Sequence, residues 1–160
     1  MGCADPLRLM VVRGLVFLLV AGTVWAAPPE ASWLLLDAAL AGDTVVAVGE
    51  RGAILRSTDS GGNWTVSPSP AAPTLTGVAF ADERIGWAVG HDGLILGTTD
   101  GGQTWKIQYA AADKESSFLD VCALDARRAI AIGAYGLCVV THDGGSTWIP
   151  VKVSEDDFHL

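Results

Sequence analysis

Short apolar runs alternate along this chain with compact polar or glycine-rich clusters, and the middle of the chain shows the rhythm best. Leu75 to Phe80 is apolar, Ala81-Asp82-Glu83-Arg84 is polar, and Ile85 to Val89 is apolar again. Gly90-His91-Asp92-Gly93 interrupts, Leu94 to Thr98 resumes, Asp100-Gly101-Gly102 interrupts, and Thr104 to Tyr109 closes the series. Runs of strand length bounded by turn residues at close, regular spacing predict an antiparallel meander. The preceding segment follows suit with Leu34 to Leu40, Thr44 to Val48, Ala53 to Arg56 and Trp64 to Ser67. The following one runs Phe118 to Ala123, Arg127 to Ile132, Leu137 to Val140 and Trp148 to Val153. No segment carries a helical period, so the expected class is all-β.

The three segments are repeats. Ser57-Thr58-Asp59-Ser60-Gly61-Gly62-Asn63-Trp64, Thr98-Thr99-Asp100-Gly101-Gly102-Gln103-Thr104-Trp105 and Thr141-His142-Asp143-Gly144-Gly145-Ser146-Thr147-Trp148 all fit Ser/Thr-x-Asp-x-Gly-x-x-Trp. Asp59, Asp100 and Asp143 are 41 and 43 residues apart, and so are Gly49, Gly90 and Gly133, each opening a Gly-x-x-Gly. A period in the low forties with four strands is the blade of a β-propeller. The expected organisation is three blades over about 33–67, 74–109 and 117–153. Propellers close with about 4 to 8 blades, so the chain reads as a fragment of a larger propeller. Phe158-His159-Leu160 stand where a fourth blade would start, behind Glu155-Asp156-Asp157 as Phe118 stands behind Asp113-Lys114-Glu115. Closure by self-association of two three-blade chains is the alternative.

The repeated phrase has a mechanical reading. Asp59, Asp100 and Asp143 can each accept backbone N–H bonds within their own turn. Gly61, Gly102 and Gly145 supply the positive φ of a tight hairpin. Ser57, Thr98 and Thr141 support the same bonds from the incoming strand. Trp64, Trp105 and Trp148 open the outgoing strand and can bury a large ring between blades. Trp105 is expected to matter most, having a repeat on either side, and Trp148 less, on the expectation that its ring meets the blade after it.

Ahead of the repeats, Arg8 and Arg13 precede an apolar run from Leu15 to Ala21, and small residues end at Ala26-Ala27. This is the layout of a secretory signal peptide over residues 1–27, followed by a short lead-in at 28–32. The run is shorter than the ~20 residues of a spanning helix; an uncleaved anchor is the alternative. The chain is thus expected to be exported, to a periplasm or an equivalent compartment. Without the leader, 8 basic side chains face 17 acidic ones, a balance that repels phosphate backbones and argues against nucleic-acid binding. Export permits disulfides, yet Cys122 and Cys138 fall on the first and third strands of one blade. Alternate strands stand roughly 9–10 Å apart, too far for a disulfide, so both thiols are expected to stay free.

The phrase resembles the Asp-box, or bacterial neuraminidase repeat, of sialidase-type propellers. The longer unit Val48-Gly49-Glu50-Arg51-Gly52-Ala53-Ile54-Leu55-Arg56-Ser57-Thr58-Asp59, echoed by Val89-Gly90-His91-Asp92-Gly93-Leu94-Ile95-Leu96, is similar to the photosystem II stability/assembly factor family and its relatives in non-photosynthetic bacteria. The resemblance covers about residues 33–153. It implies an exported propeller that assists assembly of a membrane complex or accompanies export machinery, and the function expected here is a non-enzymatic module that binds protein, in particular a membrane-associated complex, and serves its assembly.

The residues offer little other chemistry. A sialidase needs an arginine cluster, a Tyr–Glu nucleophile pair and an acid. Residues 28–56 hold only Arg51 and Arg56, and neither Tyr109 nor Tyr135 has a glutamate close by in sequence. A carbohydrate-active propeller with its catalytic residues outside this chain is the alternative reading. His91, His142 and His159 show no ligand spacing, so no metal and no cofactor are expected. The turns between second and third strands keep their flanking glycines and vary between them, with Glu50-Arg51, His91-Asp92 and Ala134-Tyr135. All three turns leave the same end of an up-and-down blade. Arg51, His91 and Tyr135 are therefore the candidate partner-binding residues, at the end opposite the Asp-box turns.

Overall fold

The computed structural model describes residues 33–113 and 115–153. The expected signal peptide, the lead-in at 28–32, Lys114 and the expected start of a fourth blade at 154–160 lie outside the described residues. Among the described residues twelve strands form three four-stranded antiparallel sheets, and each sheet takes its strands in sequence order. Blade 1 holds β1 (Leu35–Ala41), β2 (Thr44–Gly49), β3 (Ile54–Ser57) and β4 (Thr65–Val66). Blade 2 holds β5 (Leu75–Phe80), β6 (Gly86–Gly90), β7 (Leu94–Thr98) and β8 (Lys106–Ala110). Blade 3 holds β9 (Phe118–Ala123), β10 (Ala129–Gly133), β11 (Cys138–Thr141) and β12 (Ile149–Pro150). This is an all-β propeller segment of three blades that does not close on itself within the described residues.

The fourth strands begin later than the sequence pattern predicts. In the first two blades the box tryptophan still belongs to the turn, because its indole N–H donates to the turn carbonyl of Gly61 or Gly102 at 3.1 Å. Pairing with the third strand starts only after it. Single 3-10 turns at Glu50–Gly52 and Ala134–Gly136 join the second and third strands of the outer blades.

Blades pack face to face in chain order, with the first strands side by side (β1 beside β5, β5 beside β9). Asp37 of β1 accepts a bond from the Val78 N–H at 2.8 Å, and the Thr76 hydroxyl donates to the Phe118 carbonyl at 2.8 Å. One apolar core joins Val46, Val48 and Ile54 of blade 1 to Ala88, Leu96 and Trp105 of blade 2. A second joins Trp87, Val89 and Ile95 of blade 2 to Ala131, Val139 and Trp148 of blade 3. Alternation along each strand sends odd positions to one neighbour and even positions to the other, so β6 and β7 of the middle blade are buried throughout.

The box tryptophans correct one expectation. Each faces the blade before it, not the blade after it. Trp105 lies in the core with blade 1, edge-on to Phe80 at 6.1 Å. Trp148 lies in the core with blade 2, edge-on to Trp87 at 6.5 Å. Trp148 is therefore only 8% exposed, whereas Trp64 is 41% exposed because no described blade precedes it. The residue weakly held at an open end is Trp64, not Trp148.

Cys122 and Cys138 are both free thiols. Strand β10 lies between them, with Cys122 opposite Ile130 and Cys138 opposite Ile132.

Candidate functional site

The two ends of the blades are built differently. At one end stand the three Asp-box turns, and their bonds are nearly identical. The Ser57, Thr98 and Thr141 hydroxyls donate to their Asp carboxylates at 2.8, 2.8 and 2.9 Å. Each hydroxyl oxygen in turn accepts the N–H of Gly61, Gly102 or Gly145 at 2.8 to 3.0 Å. The same carboxylates accept the backbone N–H of Asn63, Thr104 and Thr147 and the polar side chains of those residues. Gly61, Gly102 and Gly145 have φ of 90°, 78° and 89°. A Cβ at Gly102 would press on Val46 of the preceding blade at 3.2 Å, and one at Gly145 would overlap Gln108. The indole N–H of Trp148 is buried without a partner among the described residues, unlike those of Trp64 and Trp105.

This bonding sets the electrostatics. The Asn63 amide, then its backbone N–H and the Ser57 hydroxyl, hold the Asp59 carboxyl down to about 2. The Thr147 hydroxyl and N–H do the same for Asp143, also to about 2. At Asp100 burial is the largest single influence and opposes ionisation, yet the combined bonds from Thr104 and Thr98 leave it lowered. Such carboxylates are committed acceptors, with no proton to give near neutral pH.

The boxes also hold the blades together. The Arg56 Nε donates to the Gly101 carbonyl at 2.9 Å and the Ser67 hydroxyl to the Gly102 carbonyl at 2.8 Å, both across the seam from blade 1 to blade 2. At the next seam Gln108 takes this part, donating to the Gly144 carbonyl at 3.2 Å and accepting from the Trp87 indole at 3.0 Å. A shallow cleft of about 510 Å³ opens at this end between blades 1 and 2, lined by Arg56, Glu83, Arg84 and Asp100 among others. Arg84 donates its Nε to the Thr99 carbonyl, so both arginines of the cleft brace the second box.

The opposite end carries the turns between second and third strands, and here the structure refines the candidate residues. Arg51 and Tyr135 occupy equivalent positions, both with left-handed backbone at φ of 56° and 55°. Their counterpart in blade 2 is Asp92, φ 59°, and not His91. His91 stands one position earlier, as Glu50 and Ala134 do, and its Nδ1 lies 3.0 Å from the Ser117 hydroxyl on the approach to blade 3. Asp92 was legible in the sequence from its place directly before the second glycine. Tyr135 projects fully into solvent. The segments leaving blades 1 and 2 cross close to Gly52 and Gly93, against Ala71 and Ala111, whereas none of the described residues comes near Gly136.

The profile of one protein family, Photosynthesis system II assembly factor YCF48, matches residues 66–156. No curated protein matches the chain. Among solved structures, "YCF48 bound to D1 peptide" superposes with a TM-score of 0.66 at 25% identity, over 74% of this chain and 40% of that one. YCF48 from Cyanidioschyzon merolae gives 0.66 at 25% identity, over 77% of this chain and 38% of that one. An ancestral GH74 enzyme gives 0.63 at 13% identity over 77% of this chain and 19% of that one, a likeness of fold alone. The chain spans about two fifths of the length of the two YCF48 structures it matches. With more than half of its residues inside the family match, the chain belongs to the Photosynthesis system II assembly factor YCF48 family of Asp-box propellers.

Proposed function

We propose that this chain is a non-enzymatic, exported propeller module that binds a peptide segment of a membrane-associated protein complex and assists its assembly. The observation that carries the reading is the tip end, where Arg51, Asp92 and Tyr135 all hold left-handed backbone next to a glycine. Such a conformation costs a non-glycine residue roughly 1–2 kcal/mol; Ser60 of the first Asp-box turn shares it, so it motivates the tip end as a ligand-holding position together with the chemistry of its side chains. A cation, a carboxylate and an exposed phenol ring on one end suit a peptide chain, the cation for its carboxylates and the ring for its apolar side chains. The relative bound to a D1 peptide supports a peptide as partner.

The non-enzymatic part rests on the carboxylates. Asp59, Asp82, Asp100, Asp125 and Asp143 are all lowered, and hydrogen bonds from their own turns do the lowering. Glycoside hydrolysis requires a carboxylic acid raised toward neutral pH. Export rests on Arg8, Arg13 and the apolar run from Leu15 to Ala21.

Fluorescence anisotropy with a labelled D1 peptide, on wild type and on the double variant Arg51→Ala/Tyr135→Ala, tests the reading. Loss of two anchors should weaken binding about tenfold or more with an unchanged melting temperature. Equal binding by both proteins, or no binding by either, refutes the tip end as a D1-peptide site.

A further inference from the structure

Three aspartates of this chain directly precede a glycine: Asp92, Asp100 and Asp143. An Asp–Gly bond is where a protein backbone rearranges most readily. No Cβ crowds the glycine nitrogen, so it can attack the aspartate Cγ and close a five-membered imide, with loss of one water. Hydrolysis returns one water. When the ring opens at the former main-chain carbonyl, the chain then runs through the side-chain carboxyl as isoaspartate. The reaction needs a carboxyl group free to turn onto the next nitrogen, and a nitrogen released from its own hydrogen bond.

At two of the three bonds the fold withholds both. The Asp100 carboxylate accepts the Thr98 hydroxyl, the Thr104 N–H and the Thr104 hydroxyl at 2.6 to 2.9 Å. Asp143 is held in the same way by Thr141 and Thr147, at 2.6 to 2.9 Å. Such bonds favour the ionised carboxylate, which is the poorer electrophile. The nitrogens are occupied too, Gly101 donating to the Arg84 carbonyl and Gly144 to the Arg127 carbonyl, both at 2.9 Å. Those carbonyls lie in turns that are themselves pinned by Asp82 and Asp125.

The tip of blade 2 is held less firmly. Asp92 is half-buried, and its carboxylate accepts no hydrogen bond among the described residues. Its backbone is left-handed at φ 59°, a strained state for a residue with a Cβ. The Gly93 N–H donates to the Ser116 carbonyl at 2.7 Å. Ser116 belongs to the link between β8 and β9 and to no strand, and such segments open at a lower free-energy cost than paired strands. Burial does not separate the three sites, since Asp143 is the most exposed of them; bonding does.

We propose that Asp92–Gly93 is a modification site, the bond at which isoaspartate forms in the folded chain, and that the box hydrogen bonds shield Asp100–Gly101 and Asp143–Gly144 from the same reaction. The product has one extra atom in the backbone of the tip turn and a carboxylate attached directly to Cα. The reaction requires water and no other reactant, and it does not depend on any partner at the tip end.

The full chain is incubated warm at neutral pH, both native and in urea, and then digested. Isoaspartate at each of the three bonds is counted by enzymatic carboxyl methylation and located by fragment mass mapping. In urea the three bonds should react at similar rates, each being Asp–Gly. In the native chain Asp92 should react about tenfold or more faster than Asp100 or Asp143, the factor that one hydrogen bond to a charged group is worth. Asp92→Glu should remove the Asp92 signal, because its longer side chain would have to close a six-membered ring. Thr104→Val, which takes one bond from the Asp100 carboxylate, should raise the native rate at Asp100 and leave that at Asp92 unchanged. Equal native rates at the three bonds, a box bond ahead of the tip, or a native Asp92 as silent as the boxes overturns the proposal. Should Thr104→Val fail to fold, the wild-type rates decide alone.

Discussion

Replacing Trp105 by alanine is the sharpest test of how the blades hold together. The ring is 5% exposed, sits in the core between blades 1 and 2, meets Phe80 edge-on and donates its N–H to the Gly102 carbonyl. Deleting a buried tryptophan of this kind costs about 3–5 kcal/mol, transfer and cavity terms together. Edge-on aromatic pairing supplies roughly 0.5–1.5 kcal/mol of that. In a propeller segment of this size about 4 kcal/mol lowers the melting temperature by roughly 10–15 °C. Trp64 makes the same turn bond from the Gly61 side but is only partly covered, so Trp64→Ala should cost about half as much in dilute protein. Trp148→Ala should resemble Trp105→Ala, less any contribution from an indole bond, since its N–H has no partner among the described residues. The three variants are compared by calorimetry at one dilute concentration. Were Trp64→Ala to melt as early as Trp105→Ala, the packing of each box tryptophan on the preceding blade would be refuted.

Acid should loosen the boxes in a defined window. Asp59 and Asp143 are held at about 2 against an ordinary 3.8; a lowered folded-state value means stabilisation present above pH 4 and lost as pH falls through 2, to be read from melting temperatures across that interval and blunted in Asp143→Asn. Asp100→Ala removes the acceptor of bonds from Thr98 and Thr104 and should cost about 1–2 kcal/mol in denaturant titration, the charged bonds being discounted for solvent; no change would deny the box its structural part. Cys122 and Cys138 should both label after denaturation without reductant, because β10 separates their strands; an intact mass two units low would show that they pair. Among the described residues Gly136→Ala meets nothing and should cost only the roughly 1–2 kcal/mol of a left-handed alanine, whereas Gly145→Ala also displaces Gln108 from Trp87 and Gly144; equal melting temperatures would refute that seam role.

The period of the repeats, read from Asp59, Asp100, Asp143 and the glycines upstream of them, determined the blade and the order of its strands. Local chemistry is enough for this. Alternation sets which residues share a face, and a turn such as Thr98-Thr99-Asp100-Gly101-Gly102 closes on its own hydrogen bonds. The tip turns were equally local: Asp92 stands directly before the second glycine as Arg51 and Tyr135 do, and the backbone angles agree with that correspondence. The direction in which a tryptophan packs was not local. Strand alternation assigns Trp105 and Trp148 to a face but does not state whether that face meets the earlier or the later blade. The handedness with which one blade stacks on the next decides it, and that is a property of twisted sheets in contact. The bonds of Arg56, Ser67 and Gln108 to the following box belong to the same class. Each joins residues some forty positions apart whose proximity exists only once the blades have stacked, which is why these seams came from the tertiary structure alone.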